Sequence, residues 1–134
     1  MTRRQMAARW VLVAGILVLL IGALHSIQAP SLYERQAAGG SPEAARGSVY
    51  FFLVTGAALL LTGVFLIYAA RGIRAREPWG RTVAVIAGLF VLVVGVGGLA
   101  YARFRNPLLY VLIAASASSL LWVWVSAKDG TSDA

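Results

Sequence analysis

The chain has no cysteine, one histidine and only five acidic residues among 134. Without thiols it forms neither disulfides nor thiolate metal sites. A lone histidine, His25, excludes a zinc site built from the histidines of one chain. No carboxylates or histidines cluster at one interface, the pattern a lipid-active enzyme needs. The reading is therefore non-enzymatic, with no metal and no resident cofactor. Charged residues make up just 13% of the chain and hydrophobic ones 60%. Soluble domains are about a quarter charged and less than half apolar. This chain has too little polar surface to cover its apolar residues in water, which points to lipid as its solvent.

All charged residues lie outside four segments: 10–29, 48–70, 82–102 and 107–127. Each segment is long enough, at 1.5 Å per residue, to cross a hydrocarbon core of about 30 Å. In lipid only helices and closed barrels satisfy their own backbone. The runs lack the period-two alternation of barrel strands. The expectation is an all-α, polytopic four-helix bundle forming a single domain over 1–134, with loop 30–47 outside the membrane.

The net charge is +7. The basic residues sit in short segments beside the apolar spans, so they speak to topology rather than to nucleic acid. Arg3, Arg4, Arg9, Arg71, Arg74, Arg76, Arg81 and Lys128 fall on one side. Arg35, Arg46, Arg103 and Arg105 fall on the other. The side with eight is expected to be cytoplasmic, together with both termini. Trp10, Trp79, Trp122 and Trp124 fall at the inner interface, and Tyr33, Tyr50, Tyr101 and Tyr110 at the outer one; Tyr68 alone departs from this division. A cleaved signal peptide is the competing reading of the N-terminus. The apolar run is long for one, and Pro30 after Ala29 would hinder processing, so the first helix is expected to be retained.

In the outer loop, Ser31 and Glu34 have capping-box spacing, Gly39-Gly40 would stop a short helix, and Ser41-Pro42 would start another. One or two short helices on the outer face are expected there, with a flexible Ala/Gly connector as the alternative. Asn106-Pro107 would cap and start the fourth span. The polar tail from Asp129 is expected to be disordered.

Residues 14–19 (AGILVL) align with 87–92 (AGLFVL) at an offset of 73, and Gly22 then aligns with Gly95. Such a repeat implies two helical hairpins in parallel orientation, although apolar sequence also yields such matches by chance. Glycine recurs at a spacing of seven, as Gly15/Gly22, Gly56/Gly63 and Gly88/Gly95. Seven residues return a helix to nearly the same face. Lipid gives no hydrophobic drive between helices, so these stripes are read as packing seams. They serve either the bundle interior or a homodimer. Thr55, Thr62, Ser116, Ser118 and Ser119 are likewise read as packing hydroxyls.

His25 is the only ionisable side chain within a span and so the default functional candidate. It lies about 22 Å along the helix from Trp10, near the outer surface. Tyr50 starts the second span at a similar depth and is the expected hydrogen-bond partner. Gln28, Tyr101 and Tyr110, with Arg103, Arg105 and Asn106, complete an outer polar cluster that interfacial anchoring also explains. A histidine that packs and hydrogen-bonds competes with a proton or substrate role and with bis-histidine haem ligation across a homodimer.

Gly22-Ala23-Leu24-His25 ends the first helix in a Gly-x-x-His pattern. In that motif and its layout the chain resembles small four-helix bacterial membrane proteins of unknown function. The resemblance implies no particular activity; the location expected for the chain is the cell (inner) membrane. Small multidrug exporters share the length and span count, but that family carries a membrane-embedded glutamate in its first helix. Glu34, Glu43 and Glu77 all lie outside the spans here. The expected role is a helical bundle that binds or supports a membrane partner, within the lipid bilayer or as a homo-oligomer. The alternatives are a small transporter or proton-linked channel using His25, and a haem-binding homodimer or lipid-active enzyme.

Overall fold

The computed structural model describes residues 2–101 and 106–128. The described chain is all-helical: α1 Arg3–Ile27, α2 Ala29–Gly39, α3 Pro42–Ala75, α4 Pro78–Tyr101 and α5 Pro107–Lys128. Four of these, all but α2, are long and apolar enough to cross a membrane.

Local chemistry sets most of the helix ends. Thr2 and Gln5 form a reciprocal capping box at the start of α1: the Thr2 hydroxyl accepts from Gln5 N–H at 3.3 Å, and Gln5 Oε1 accepts from Thr2 N–H at 3.0 Å. That start lies ahead of the charge-free run, since three arginines are tolerated in a helix outside lipid. Ser41 accepts from Ala44 N–H at 3.2 Å, and Pro42 occupies the first turn of α3, as the sequence indicated. Asn106 Oδ1 accepts from Leu108 N–H at 3.1 Å ahead of α5.

The outer segment departs from expectation in two ways. The capping box of Ser31 and Glu34 does not form. Gln28 closes α1 and opens α2, with Pro30 in the first turn. Proline needs no N–H there, so α2 starts before Ser31. That places Ser31 inside the helix, where its hydroxyl donates to Gln28 O at 2.9 Å. The second difference concerns α3. It is one helix of 34 residues rather than a short outer helix followed by a span over 48–70. At about 51 Å it is much longer than a bilayer core. Between Pro42 and Ser48 only Gly47 opposes a helix, and one glycine costs only about 1 kcal/mol.

The arginine-rich second loop is also mostly helical. Only Arg76 and Glu77 separate α3 from α4. Arg76 takes the left-handed conformation, φ 66°, and Glu77 N–H reaches back to Gly72 O at 2.9 Å. Arg71 and Arg74 ride on the last turns of α3, and Arg81 on the first turns of α4. Residues 102–105 of the third loop and the tail from Asp129 lie outside the described residues.

The four long helices touch in a closed cycle, α1 on α3, α3 on α4, α4 on α5 and α5 on α1. α2 folds against α3. The α1–α3 contact is backbone on backbone. A Cβ added at Gly15 would lie 2.9 Å from Ile67 N and 3.0 Å from Gly63 O. One at Gly22 would lie 2.8 Å from Leu60 N and 3.0 Å from Gly56 O. The pairing of 15 with 63 and 22 with 56 makes these helices antiparallel. In the α4–α5 contact, Gly88 and Gly95 instead receive the side chains of Leu120 and Ile113.

The two hairpins bury corresponding positions. Offset 73 relates Val11, Ala14 and Val18 of α1 to Ala84, Ala87 and Val91 of α4, and all six are buried. Offset 57 relates Leu59, Thr62, Leu66 and Ala69 of α3 to Ser116, Ser119, Val123 and Ser126 of α5, and all eight are buried. The same offset carries Gly56 to Ile113 and Gly63 to Leu120.

These contacts separate glycines by consequence. Gly63→Ala sets its methyl 2.8 Å from Leu19 N and 2.9 Å from Gly15 O, where only a helix can move. We expect it to destabilise the fold by about 2 kcal/mol. Gly95→Ala meets mainly Cγ1 of Ile113 at 2.8 Å, with that residue's backbone N 3.7 Å away, so a side chain rather than a helix must shift and the cost is smaller. A helix-propensity gain of about 1 kcal/mol offsets much of that cost. Reversible SDS unfolding followed by circular dichroism checks the order; equal losses would contradict it.

Candidate functional site

His25 occupies the last turn of α1, where the Gly22 contact brings α3 close. Its ring stacks on Phe52 of α3, with centroids 3.4 Å apart and planes 21° from parallel. Tyr50, the partner expected from depth alone, is exposed and lies edge-on to Phe51 at 5.9 Å. The helical repeat explains the substitution. Residues 50 and 52 point about 200° apart on one helix, so only one of them faces α1. Phe52 precedes Gly56 by four residues and shares its face. That spacing was available in the sequence and identifies Phe52.

The remaining polar candidates do not gather around His25. Gln28 is exposed at the α1–α2 junction, and its backbone carbonyl accepts from Ser31 Oγ and Leu32 N–H. Tyr110 is exposed on α5. The Tyr101 side chain, Arg103 and Arg105 lie outside the described residues. No group of three or more histidines, cysteines, aspartates or glutamates could hold a metal among the described residues.

The hydroxyls have defined partners. Thr55 donates to Phe51 O at 2.9 Å and Thr62 to Ala58 O at 2.7 Å, each within its own helix. Ser119 donates to Ser116 O at 2.8 Å and Ser126 to Val123 O at 2.9 Å. Ser116 is different: its hydroxyl crosses to Gly88 O on α4. Gly88 has no side chain of its own to hold α5 away, which lets the two helices approach closely at this bond.

Two contacts near the α3–α4 turn were not read from the sequence. Gly72 and Gly80 abut at the α3–α4 turn, where a Cβ on Gly80 would lie 2.6 Å from Gly72 C. Their spacing falls outside the sevenfold pattern. Arg81 Nη2 donates to Ser126 O at 3.1 Å, near the C-terminal end of α5, where a cation also suits the helix dipole. Arg81 and Ser126 are 45 residues apart, and no local pattern links them.

Three concavities accompany these elements. An outer one of about 360 Å³ between α2 and α3 borders Gln36, whose Oε1 is buried without a hydrogen-bond partner among the described residues. An inner one of about 580 Å³ lies where Arg3 and Met6 face Trp122 and Lys128, whose ammonium sits 3.7 Å from the centroid of the Trp124 ring. The third, about 330 Å³, opens between α3 and α4. No family model, curated protein or solved structure matches the chain.

The Phe52 stack makes His25 replaceable by another flat ring. His25→Phe should keep stability within about 0.5 kcal/mol, and His25→Ala should lose about 1 kcal/mol or more. Unfolding of the two variants in mixed micelles checks this. Equal stability of His25→Ala and the parent would show that the stack contributes nothing.

Proposed function

We propose that the chain is an integral membrane four-helix bundle whose role is to bind or support a partner within the membrane, not to catalyse a reaction. One observation carries this reading: the polarity of the packing is inverted relative to a soluble protein. Large apolar side chains face outward, with Ile27 74%, Phe51 72% and Val93 70% exposed. Glycine, alanine, serine and threonine occupy much of the buried face, including Thr62, Ser116, Ser119 and Ser126. Soluble monomers seldom expose contiguous apolar patches beyond a few hundred Å². In lipid that surface is solvated, and small residues let the helices approach.

The basic side, with Arg3, Arg4, Arg9, Arg71, Arg74, Arg76, Arg81 and Lys128, then faces the cytoplasm of a cell membrane, and both termini lie there. The matched burial of α1 with α4 and of α3 with α5 supports two hairpins related by an axis along the membrane normal. The partner-binding role rests on what the interior holds. Its hydroxyls bond to backbone carbonyls, and His25 stacks on an aromatic ring with no acidic side chain as a described partner.

Two measurements on the full chain test the reading. Photo-crosslinking residues placed at Leu61 and Val93, both exposed to lipid, should give a discrete adduct with a membrane protein or a second copy. Reconstituted vesicles should show no proton flux beyond protein-free controls. Flux that disappears in His25→Phe would replace this reading with a transporter.

A further inference from the structure

We infer that the crevice between α3 and α4 holds one acyl chain of an anionic phospholipid of the inner leaflet, with its headgroup at the α3–α4 turn. The inference rests on the membrane reading above and adds a ligand to it. Thr62, Phe65, Val83, Ile86, Ala87 and Phe90 line the crevice, which encloses about 330 Å³. The walls are apolar apart from the Thr62 hydroxyl, and that is committed to Ala58 O.

Lining and depth point to the occupant. From Val83 to Phe90 the crevice runs about 10 Å along α4. Its lining is almost wholly apolar and it opens along one side, so a hydrocarbon chain can lie in it lengthwise. Depth agrees. The crevice begins about 8 Å beyond Pro78 and ends about 18 Å beyond it, and one leaflet's hydrocarbon is about 15 Å thick.

The inner end supplies the headgroup chemistry. Tyr68 stacks on Trp79 at 4.9 Å between the crevice and the turn, a pair of amphipathic rings suited to the interface. Beyond them Arg71, Arg74 and Arg76 are all exposed, and none forms an ion pair among the described residues. Glu77 is the one acid nearby. Arg81 is set aside, because it donates to Ser126 O. Three unneutralised guanidiniums at the interface favour an anionic headgroup over a zwitterionic one.

The pseudo-equivalent groove differs. Positions 10 and 122 of α1 and α5 correspond to 83 and 65, and they carry Trp10 and Trp122 where the crevice has Val83 and Phe65. Trp122 packs against the core. The smaller residue at 83 leaves the α3–α4 side open.

Native mass spectrometry of the full chain, with dioleoyl phosphatidylglycerol or dioleoyl phosphatidylcholine added, tests the inference. The parent should retain one phosphatidylglycerol about tenfold better than phosphatidylcholine, in line with the surface attraction of basic residues. The combined change Arg71→Gln, Arg74→Gln and Arg76→Gln should bring the two lipids level. Val83→Trp, which copies position 10, should lower retention of both. Ile86→Trp plugs the crevice from its exposed lip and should do the same, so the test survives if Val83→Trp misfolds. Equal retention of both lipids by the parent, or phosphatidylglycerol retention untouched by the arginine changes or by a folded plugging variant, would overturn it. Such an outcome leaves the membrane reading standing; that reading fails only if the chain is recovered water-soluble without detergent.

Discussion

The backbone contact between α1 and α3 is the constraint on which the rest of the packing depends. Gly15 lies against Gly63 and Gly22 against Gly56, so carbonyls and amides of the two helices approach closely, with the Ser26 hydroxyl packed against Gly56. In the bilayer proposed for the chain, apolar association gains nothing from leaving water. Close approach must therefore supply the attraction through dispersion and weak polar contact. The same contact fixes the facing register and so decides that Phe52, and not Tyr50, meets His25. The second hairpin solves the problem differently. Leu120 and Ile113 insert against Gly88 and Gly95, and the Ser116 hydroxyl ties α5 to α4.

The α3–α4 turn is built by the same principle over a shorter range. Gly72 and Gly80 let α3 and α4 abut immediately beside their connection, and Arg76 accepts a left-handed conformation to close it. Trp79 then lies over Gly72 and stacks on Tyr68. Arg81 reaches across to the end of α5. These contacts tie together the helix ends on the side of the α3–α4 turn, while α2 and the long start of α3 extend the opposite end.

How far the sequence reaches depends on whether a feature is local. The four long helices were legible because charge is confined to their flanks, and a charge-free run of that length has few other meanings. The starts at Ser41-Pro42 and Asn106-Pro107 were legible because a cap is written in adjacent residues. The origin of α2 was not, because Ser31 and Pro30 compete to begin it and proline's tolerance of the first turn decides. The continuity of α3 was not, because Gly47 resembles a break but costs too little to make one. In the candidate site, depth alone suggested Tyr50, whereas the face shared with Gly56 selects Phe52. The Arg81–Ser126 bond joins distant segments, so it belongs to the tertiary fold alone.

The proposed account stands on four crossings of one bilayer, and the absence of cysteine makes that directly measurable. Single cysteines placed at Ser41, Glu77 and Asn106 flank successive helices and are treated in intact cells with a membrane-impermeant maleimide. The account predicts labelling at 41 and 106 from outside, and at 77 only after permeabilisation. Labelling of 77 from outside together with 41 would contradict it.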